Sequence, residues 1–347
     1  MAFFRACLFL AIFTGLASAT PISADKPCPH WTTLAKLPRL RQEHSTVSVD
    51  DNTITIIGGV TPIGNASLFT GFTTVDWLHL YDIPSNSWRT GTPSPYRVSH
   101  PNVSAKNGLI YLLGGLVDDS DPPKPLPEWI ASGESHVYDT QTDTWTQLES
   151  MPPGTERGSM TILDGAYQDA VTTATAFNTT SGKWERLVDV AANIREGRQH
   201  AAGAIVDETL YITGGRWFEK TNVRDDVSIL DLNNLTSGWK TGKTHMPTAR
   251  GGIAGAAVGA KLYTFAGETN QHAATGVFDN VEVFDVETQK WEELAPMHVP
   301  RHGTSAATVG NNIYIPGSGL QQDGLMIMVN GVGHFLNTTD HFDVLTV

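Results

Sequence analysis

An internal repeat marked by tryptophan constrains the fold of this chain more than any other feature. Six similar segments each begin with a tryptophan, at Trp31, Trp88, Trp145, Trp184, Trp239 and Trp291. An arginine follows each of them, at Arg41, Arg97, Arg157, Arg198, Arg250 and Arg301. In most repeats a β-like run then ends in a pair of small residues such as Gly58-Gly59. A repeat of this kind buries its apolar face only against its neighbours, so the units must pack side by side.

The segment between the small pair and the next tryptophan contains a run in which apolar and polar residues alternate. LHLYD, SHVYD, VSILD and VEVFD occupy the same place in successive repeats, and each alternates with the period of a β-strand. Each unit therefore predicts four strands. With 40% hydrophobic and only 17% charged residues, the composition excludes a coiled coil and a disordered chain. We expect an all-β fold, a β-propeller with six blades.

Gly-Gly, then Tyr-Asp, then Trp at this spacing resembles the kelch repeat, and the resemblance covers residues 28 to 347. It implies a single propeller domain over residues 20–347. Trp31 precedes the first complete unit and the last unit lacks a tryptophan, so the N-terminal strand is expected to complete the C-terminal blade and close the ring. Each tryptophan ring is expected to cover the apolar face of the next blade.

The third repeat departs from the others. Arg157 and Trp184 are 27 residues apart, whereas the same interval is 41 to 48 residues in the other complete units. The third unit lacks the strand that ends in Gly-Gly. Either the third blade is abbreviated, or a segment has been lost from the sequence at Asp164-Gly165. Both interpretations remain open at this point, and we predict an abbreviated third blade.

Residues 1–19 are predicted to be a signal peptide. Arg5 precedes the apolar run ACLFLAIFTGL, and Ala17-Ser18-Ala19 forms a small-residue cleavage site. We therefore predict a protein that is secreted or resident in the lumen of the secretory pathway. Five Asn-X-Ser/Thr sequons are predicted glycosylation sites, at Asn65, Asn102, Asn178, Asn234 and Asn337.

The charge of the chain bears on its partners. A net charge of −13 repels phosphates and argues against nucleic acid as a partner. After the leader, no apolar run approaches the roughly 18 residues that a membrane span needs. We predict a monomer that binds a small molecule.

Candidate site residues follow from the resemblance. In kelch-like propellers the ligand face is built by positions that follow the blade-start arginine and positions that follow the small pair. Mapped onto this chain, catalytic roles are assigned to His200, Arg216 and Glu268. Substrate-binding roles are assigned to Glu43, His44, Ser99, His100, Trp129, Trp217, Phe218, Asn270 and His302. The competing interpretation is that the histidines are consensus residues bonded to backbone and that the blade-start arginines join blades.

Motifs for other chemistries are missing from the sequence. There is no H-E-x-x-H, no C-x-x-C, no P-loop, no G-x-S-x-G, and no G-x-G-x-x-G in a strand–helix context. We accordingly predict neither a cofactor nor a metal ion.

The overall layout, a leader followed by one kelch-like ring, resembles secreted kelch-type proteins of fungi, including the hetero-Diels–Alderases of tropolone-sesquiterpene pathways. That resemblance implies a small-molecule enzyme of secondary metabolism, which joins a polyene to a quinone methide in a central pocket. Such a reaction needs proximity and exclusion of water rather than a nucleophile. The alternative is an extracellular propeller that binds a glycan or a protein without catalysis, with Trp129 and Trp217 as sugar-stacking residues.

Overall fold

The computed structural model describes residues 28–63, 71–118, 129–153, 172–188, 190–217, 222–273, 275–319 and 338–347, and the backbone of 327–329 and 332–334. Within these ranges the fold is all-β, with a single short 3-10 turn at Leu235–Ser237 and no α-helix. The all-β prediction is therefore confirmed. The predicted signal peptide lies outside the described residues.

The first half of the chain contributes thirteen strands. They are β1 (His30–Thr33), β2 (Ser45–Asp50), β3 (Thr53–Ile57), β4 (Val60–Pro62), β5 (Phe72–Thr74), β6 (Leu78–Asp82), β7 (Ser87–Thr90), β8 (Val103–Lys106), β9 (Leu109–Asp118), β10 (Trp129–Asp139), β11 (Thr144–Gln147), β12 (Thr175–Asn178) and β13 (Lys183–Arg186).

The second half contributes the same number. They are β14 (Ala202–Val206), β15 (Thr209–Thr213), β16 (Val227–Asp231), β17 (Lys240–Thr241), β18 (Ala254–Val258), β19 (Lys261–Phe265), β20 (Val281–Asp285), β21 (Lys290–Glu293), β22 (Ala307–Val309), β23 (Asn312–Gly319), β24 (Ile327–Val329), β25 (Val332–His334) and β26 (Thr338–Thr346).

Five antiparallel four-stranded sheets form the propeller in the part of the chain that the structure describes. In chain order they are sheet A (β2, β3, β6, β7), sheet B (β8 to β11), sheet C (β14 to β17), sheet D (β18 to β21) and sheet E (β22, β23, β26, β1). The prediction of six blades is not confirmed, because among the described residues the third repeat contributes the hairpin β12–β13 and no four-stranded sheet. Residues 154–171, where the other strands of that repeat were expected, lie outside the described residues.

The inner strands of the five sheets follow one another in an arc. Strand β2 contacts β8 on one side and β22 on the other, and β18 contacts β14 and β22. Sheet E contains both ends of the described chain, since β1 pairs with β26 and sets Trp31 opposite Leu345. The segment that starts the chain and the segment that ends it therefore share one sheet.

The tryptophans join successive units in two ways. The rings of Trp31, Trp88, Trp145 and Trp291 pack on the sheet that precedes their own, and the ring centre of Trp88 in sheet A lies 5.2 Å from that of Phe342 in sheet E. For these four tryptophans the expectation that the ring would cover the next blade is wrong, because the apolar face that it covers belongs to the preceding sheet. In four repeats the indole Nε1 also donates to a backbone carbonyl of the preceding connector, whereas the Nε1 atoms of Trp31 and Trp291 have no hydrogen-bond partner among the described residues. The four bonds run from Trp88 to Ala35, Trp145 to Thr92, Trp184 to Glu149 and Trp239 to Ala191.

Buried arginines hold the second and third strands of a sheet together rather than joining blades. Arg250 donates to the carbonyl of Ala266 and to the carboxylate of Glu282, and all of its side chain is buried. Arg301 pairs with Asp343 in the same way in sheet E. Leaving such a carboxylate unpaired inside the protein would cost several kcal/mol, roughly 3–5 in comparable cases.

Sheet B lacks the arginine that the sequence predicts for it. Arg97 is exposed, and the fully buried Val98 takes the place that Arg250 holds in sheet D. The register is fixed by the next residue, since Ser99 bridges Leu116 as Gly251 bridges Glu268. In the part of the chain that the structure describes, no helix has the length and apolar character needed to cross a membrane.

Candidate functional site at the hub

One backbone position recurs at the start of every four-stranded sheet and faces the centre of the arc. It is occupied by residues with positive φ between 48° and 68°, namely Glu43, His100, His200, Gly252 and Gly303. The residue before each of them bridges the residue after the small pair of the same sheet, as Gln42 bridges Val60. We call these five positions the hub positions. The backbone has a similar conformation at all five positions, so the positions differ mainly in their side chains.

Backbone hydrogen bonds tie neighbouring hub positions together. The N–H of Glu43 donates to the carbonyl of Gly303 at 2.6 Å, and the N–H of His100 donates to the carbonyl of Glu43 at 2.9 Å. The N–H of Gly252 donates to the carbonyl of His200 at 3.0 Å. Sheets B and C meet instead through side chains, since the rings of His100 and His200 lie 5.5 Å apart at 79°. The hub positions are thus held by the backbone and not by flexible loops.

A cavity of about 380 Å³ opens beside the hub positions. Its lining comprises all five hub positions together with the first residues of the inner strands, among them Thr46, Val103, Ala202, Ile253 and Thr304. A second cavity of about 410 Å³ adjoins it further along the inner strands and shares the lining residues Thr46, Val103, Gly203, Gly255 and Ala306. A volume of this size accommodates a small organic molecule.

Two of the hub positions must be glycine because of what lies against them. A Cβ atom at Gly303 would stand 2.5 Å from Oε1 of Glu43, and one at Gly252 would stand 2.8 Å from Cγ of Glu268. Both residues also have φ values in the left-handed region, which glycine adopts without strain. The bare positions of sheets D and E therefore make room for the carboxylates of their neighbours.

The other three hub positions bring ionisable side chains together. Nε2 of His100 lies 3.0 Å from Oε2 of Glu43, and both side chains are buried. One ring nitrogen of His100, one ring nitrogen of His200 and one carboxylate oxygen of Glu43 lie within 4.8 Å of one another. We call these three residues the hub triad. The sequence predicted all three as site residues, but not that they meet.

Arg216 and Glu268 extend the hub triad on the side of sheets C and D. They form a buried ion pair, and Nη2 of Arg216 lies 3.5 Å from Nε2 of His200. These two residues occupy the position after the small pair in sheets C and D. Of the three predicted catalytic residues, Arg216 therefore contacts both His200 and Glu268.

Side chains next to the hub positions orient the two imidazoles. Nδ1 of His200 lies 2.9 Å from Oε1 of Gln199, and Nδ1 of His100 lies 3.1 Å from Oγ of the buried Ser99. An amide oxygen accepts hydrogen bonds only, so Nδ1 of His200 is the donor and Nε2 keeps its lone pair when the ring is neutral. Ser99, which was predicted to bind substrate, thus contacts His100. Gln199 holds the equivalent position beside His200, and the sequence analysis did not identify it.

His44 also lines the cavity, but its chemistry differs from that of the hub triad. Its Nε2 lies 3.0 Å from the carbonyl oxygen of Pro316. Burial, together with the charge of nearby Arg41, lowers the pKa of His44 to about 3. This histidine is therefore neutral and donates to the backbone, as the competing interpretation of the blade-start histidines proposes.

The remaining predicted residues are dispersed. Trp129 stands at the hub, with its ring 5.5 Å from that of His100 and packed on Phe72, and its Nε1 donates to Thr74 Oγ1. It is half-buried in this packing. The side chain of Asn270 donates to the carbonyl of Val277 within its own loop. His302 is buried against Gly319, away from the cavity lining. Trp217 is half-buried beside Arg216, and Phe218 lies outside the described residues.

The sequons fall in different environments. Asn178 and Asn234 are exposed and remain predicted glycosylation sites. Asn102 lines the cavity, and its Nδ2, the atom that would carry the glycan, donates to the carbonyl of Leu113 at 3.1 Å. That geometry disfavours Asn102 as an acceptor. Asn65 and Asn337 lie outside the described residues.

Comparison with known proteins decides the family. Residues 155–344 match the family model described as the KLHDC2/KLHL20/DRC7 Kelch-repeats domain. The Kelch-like protein terF of Aspergillus terreus is 35% identical to this chain over 300 residues, which make up 81% of this chain and 61% of that protein. The chain belongs to the kelch-repeat family. The resemblance of its repeats to the kelch repeat is thereby confirmed.

Other kelch relatives are more distant. Kelch-like protein 36 of Bos taurus is 23% identical over 68% of this chain and 38% of its own length. Kelch repeat and BTB domain-containing protein 2 of Homo sapiens is 23% identical over 62% of this chain and 36% of its own length. The kelch propeller described here thus spans about three-fifths or less of the relatives that it matches.

The arrangement at the hub suits proton transfer on a bound molecule. Two imidazoles and a carboxylate are the groups that most often act as general acid and base. A guanidinium held by a carboxylate is a fixed positive charge that stabilises a developing oxyanion. Glu43, His100 and His200 line the cavity and are themselves largely buried, so water screens them little.

Proposed function

We propose that this kelch propeller is a small-molecule enzyme whose reaction takes place in the hub cavity. The observation that carries the proposal is the convergence of Glu43, His100 and His200 on one side of a cavity of about 380 Å³. The hub positions beside them in sheets D and E are glycine and also line this cavity. Glu43 and His100 are buried and His200 is half-buried, and a merely structural hub would not require ionisable groups there, since removing them from water costs free energy.

The reaction that fits best is loss of water from an ortho-(hydroxymethyl)phenol, or its tropolone counterpart, followed by cycloaddition. His200 accepts the proton of the ring hydroxyl through Nε2. The proton shared by His100 and Glu43 passes to the benzylic hydroxyl, which leaves as water as its C–O bond breaks. The product is an ortho-quinone methide, and one proton has been taken up and one released. Arg216, held by Glu268, stabilises the negative charge that develops on the ring oxygen.

The second step joins the quinone methide to a polyene. The heterodiene C=C–C=O and one C=C bond of the polyene form a new C–C and a new C–O bond, and no atom is lost. For this step the cavity supplies orientation and excludes water, which would otherwise add to the quinone methide. The chain would then be a hetero-Diels–Alderase of secondary metabolism.

The architecture of the proposed enzyme is a closed ring. Trp184 and Trp239 give the hairpin β12–β13 the same bonds to its neighbours as the tryptophans of complete sheets. We therefore assign this hairpin as the outer half of an abbreviated third blade, which brings the number of blades to six. The pairing of β1 and β26 would close the ring. The leader predicted at residues 1–19 would direct this enzyme into the secretory pathway, where it acts as a monomer.

Exchange of oxygen with labelled water tests the first step by itself. The purified protein is incubated with 2-(hydroxymethyl)phenol in H₂¹⁸O, and incorporation of ¹⁸O into the benzylic position is followed by mass spectrometry. Reversible loss of water predicts exchange faster than in buffer and faster than with the H100Q variant. Exchange at the buffer rate would contradict the proposal.

Addition of a hydrocarbon polyene tests the second step. The account predicts a cycloadduct formed in higher yield and with higher stereoselectivity than in buffer. Accelerated exchange with an unselective adduct would retain the dehydration and eliminate the cycloaddition. If both readouts equal those in buffer while an immobilised glycan or peptide is retained, the chain is a binding propeller.

A further inference from the structure

We infer that Glu43, His100 and His200 form a binding site for one divalent first-row transition metal ion. The inference concerns binding of an ion and goes beyond the proposed acid–base function, on which it does not depend. Two imidazole nitrogens and a carboxylate oxygen make a borderline ligand set, which suits Zn²⁺, Co²⁺ or Fe²⁺ rather than Mg²⁺ or Ca²⁺.

The distances within the hub triad are close to those of a metal site. Nε2 of His100 and Oε2 of Glu43 are 3.0 Å apart, which is the spacing of neighbouring ligands bound at about 2.0–2.1 Å. The full set of candidate ligand atoms lies within 4.8 Å. In a tetrahedral site two ligands at about 2.0–2.1 Å from the ion lie roughly 3.4 Å apart, so binding requires the most distant pair of ligand atoms to close by up to about 1.4 Å.

Hydrogen bonds at the far nitrogen of each imidazole turn the near nitrogen towards the hub. Nδ1 of His100 is held by Ser99 and Nδ1 of His200 by Gln199. In metal sites the imidazole nitrogen that does not bind the ion is generally fixed in this way, which sets both the tautomer and the ring orientation. The same device occurs twice here, at two hub positions that are far apart in the sequence.

An unpartnered oxygen points to a missing ligand. Oε1 of Glu43 is buried and has no hydrogen-bond partner among the described residues, although the side chain is only 5% exposed. A buried carboxylate oxygen without a partner costs free energy, about 1–3 kcal/mol or more. A bound ion would remove that cost, since the carboxylate could then bind with one or both oxygens.

The charges around the hub triad allow a cation to bind. The positive charge of Arg216 lies near His200, but the ion pair with Glu268 offsets it. The 3.5 Å contact between Arg216 and Nε2 of His200 is long, and the ion would replace it. Glu43 remains as the uncompensated negative group. With three protein ligands and the cavity on the open side, the ion would keep positions for water or a substrate oxygen.

Titration with metal alone tests the inference. The full chain is dialysed against EDTA and titrated with ZnCl₂ and CoCl₂ by calorimetry. We expect saturation at one ion per chain, and affinity at least tenfold lower in each of E43Q, H100Q and H200Q. The matched control is H245Q, because His245 is an exposed histidine that lies 2.9 Å from a carboxylate of Asp225 outside the hub. It should retain the affinity of the unaltered chain.

A second measurement does not depend on whether the variants fold. The visible absorption spectrum of Co²⁺ added to the unaltered chain should change from that of the hydrated ion to that of a site with nitrogen ligands. The inference is overturned if the spectrum stays that of the hydrated ion, if no saturable binding occurs, or if the triad variants and H245Q bind equally.

The two proposals fail separately. Oxygen exchange catalysed by a chain that binds no metal would overturn the metal site and leave the proposed function standing. Saturable binding at the hub triad with exchange at the buffer rate, with and without metal, would uphold the metal site and overturn the proposed function.

Discussion

The five hub positions share one backbone conformation, but their side chains are ionisable on one side of the hub and absent on the other. At the hub positions sheets A, B and C carry Glu43, His100 and His200, whereas sheets D and E carry Gly252 and Gly303. The bare side is also where the buried pairs Arg250–Glu282 and Arg301–Asp343 hold the sheets. One side thus carries the ionisable groups of the cavity, and the other supplies space and structural ion pairs. The repeated backbone thus carries different side chains at the five hub positions, although Glu43 restricts position 303 to glycine.

The largest expected effect is on turnover, from a change on the charged side. We predict that H100Q lowers the rate of ¹⁸O exchange into 2-(hydroxymethyl)phenol by about 10²–10⁴-fold, the usual contribution of a general acid or base. The glutamine keeps a polar group of similar size, so the thermal midpoint should change little. The exchange assay and a thermal melt measure the two quantities.

The control for H100Q is H245Q, which alters a histidine on the surface and should exchange at the rate of the unaltered chain. If H100Q and H245Q have equal rates, the charged side of the hub is not the reaction site.

A change on the bare side should instead affect stability. R250M removes a fully buried guanidinium and leaves Glu282 without its partner. We predict a decrease in the free energy of unfolding of about 3–5 kcal/mol, measured by denaturant titration.

Arg224 offers the matched control, since its pair with Glu196 is partly exposed. R224M should cost about 1 kcal/mol or less. Equal losses for R250M and R224M would show that the buried arginines are not what holds the sheets.

A methyl group added at Gly303 tests how the two sides meet. G303A places a Cβ atom 2.5 Å from Oε1 of Glu43 at a φ of 64°. G310A lies at a φ of 57° in the same sheet, with nothing within 4 Å of its Cβ. Both variants incur left-handed strain of roughly 1–2 kcal/mol, but only G303A displaces Glu43. We predict a further loss of stability and a loss of metal affinity in G303A alone; identical behaviour would contradict the packing described.

The last expected effect is the dependence of stability on pH, which grows as the pH falls. Burial and the charge of Arg41 lower the pKa of His44 and that of His79 to about 3. The unfolded chain binds protons at these histidines below a pH of about 6.5, whereas the folded chain does not. The free energy of unfolding should therefore be fully retained above that pH. It should fall between about pH 6.5 and pH 3, by up to about 1.4 kcal/mol per pH unit for each histidine.

The variant H44Q should reduce that slope, as measured by denaturant titration at several pH values. Below about pH 4 the carboxylates of Asp82, Asp139 and Asp285, whose pKa values are lowered by hydrogen bonds, add to the loss. A stability that is constant from pH 7 to pH 4 would contradict the burial of these histidines.

The sequence predicted the sheets better than it predicted the hub. Tryptophan, the small pair and period-two alternation are local signals, and the structure has four strands where all of them occur. The prediction that Arg97 is the buried arginine of sheet B was wrong, because Val98 occupies that buried position. The bridge between Ser99 and Leu116 reveals the register, and it is seen only in the structure. The abbreviated third repeat could be recognised but not described, since it lacks the pattern that defines a strand.

The hub triad could not be predicted as a cluster. Its members belong to three repeats, and their proximity depends on how the sheets are arranged around the arc. One local signal was available: the second residue after the arginine in sheets A, C, D and E is Glu43, His200, Gly252 or Gly303. That these positions are ionisable in one half of the hub and glycine in the other becomes informative only when the left-handed backbone is seen. The roles of Gln199 and Ser99 likewise required the ring orientations.

A crystal structure of the chain with 2-(hydroxymethyl)phenol is the most direct measurement of the central claim, that chemistry resides on the charged side of the hub. The account predicts the molecule in the cavity, with an oxygen atom within about 3.2 Å of His100, His200 or Arg216. A molecule bound elsewhere, with the hub triad closed on itself by direct side-chain contacts, would contradict the account.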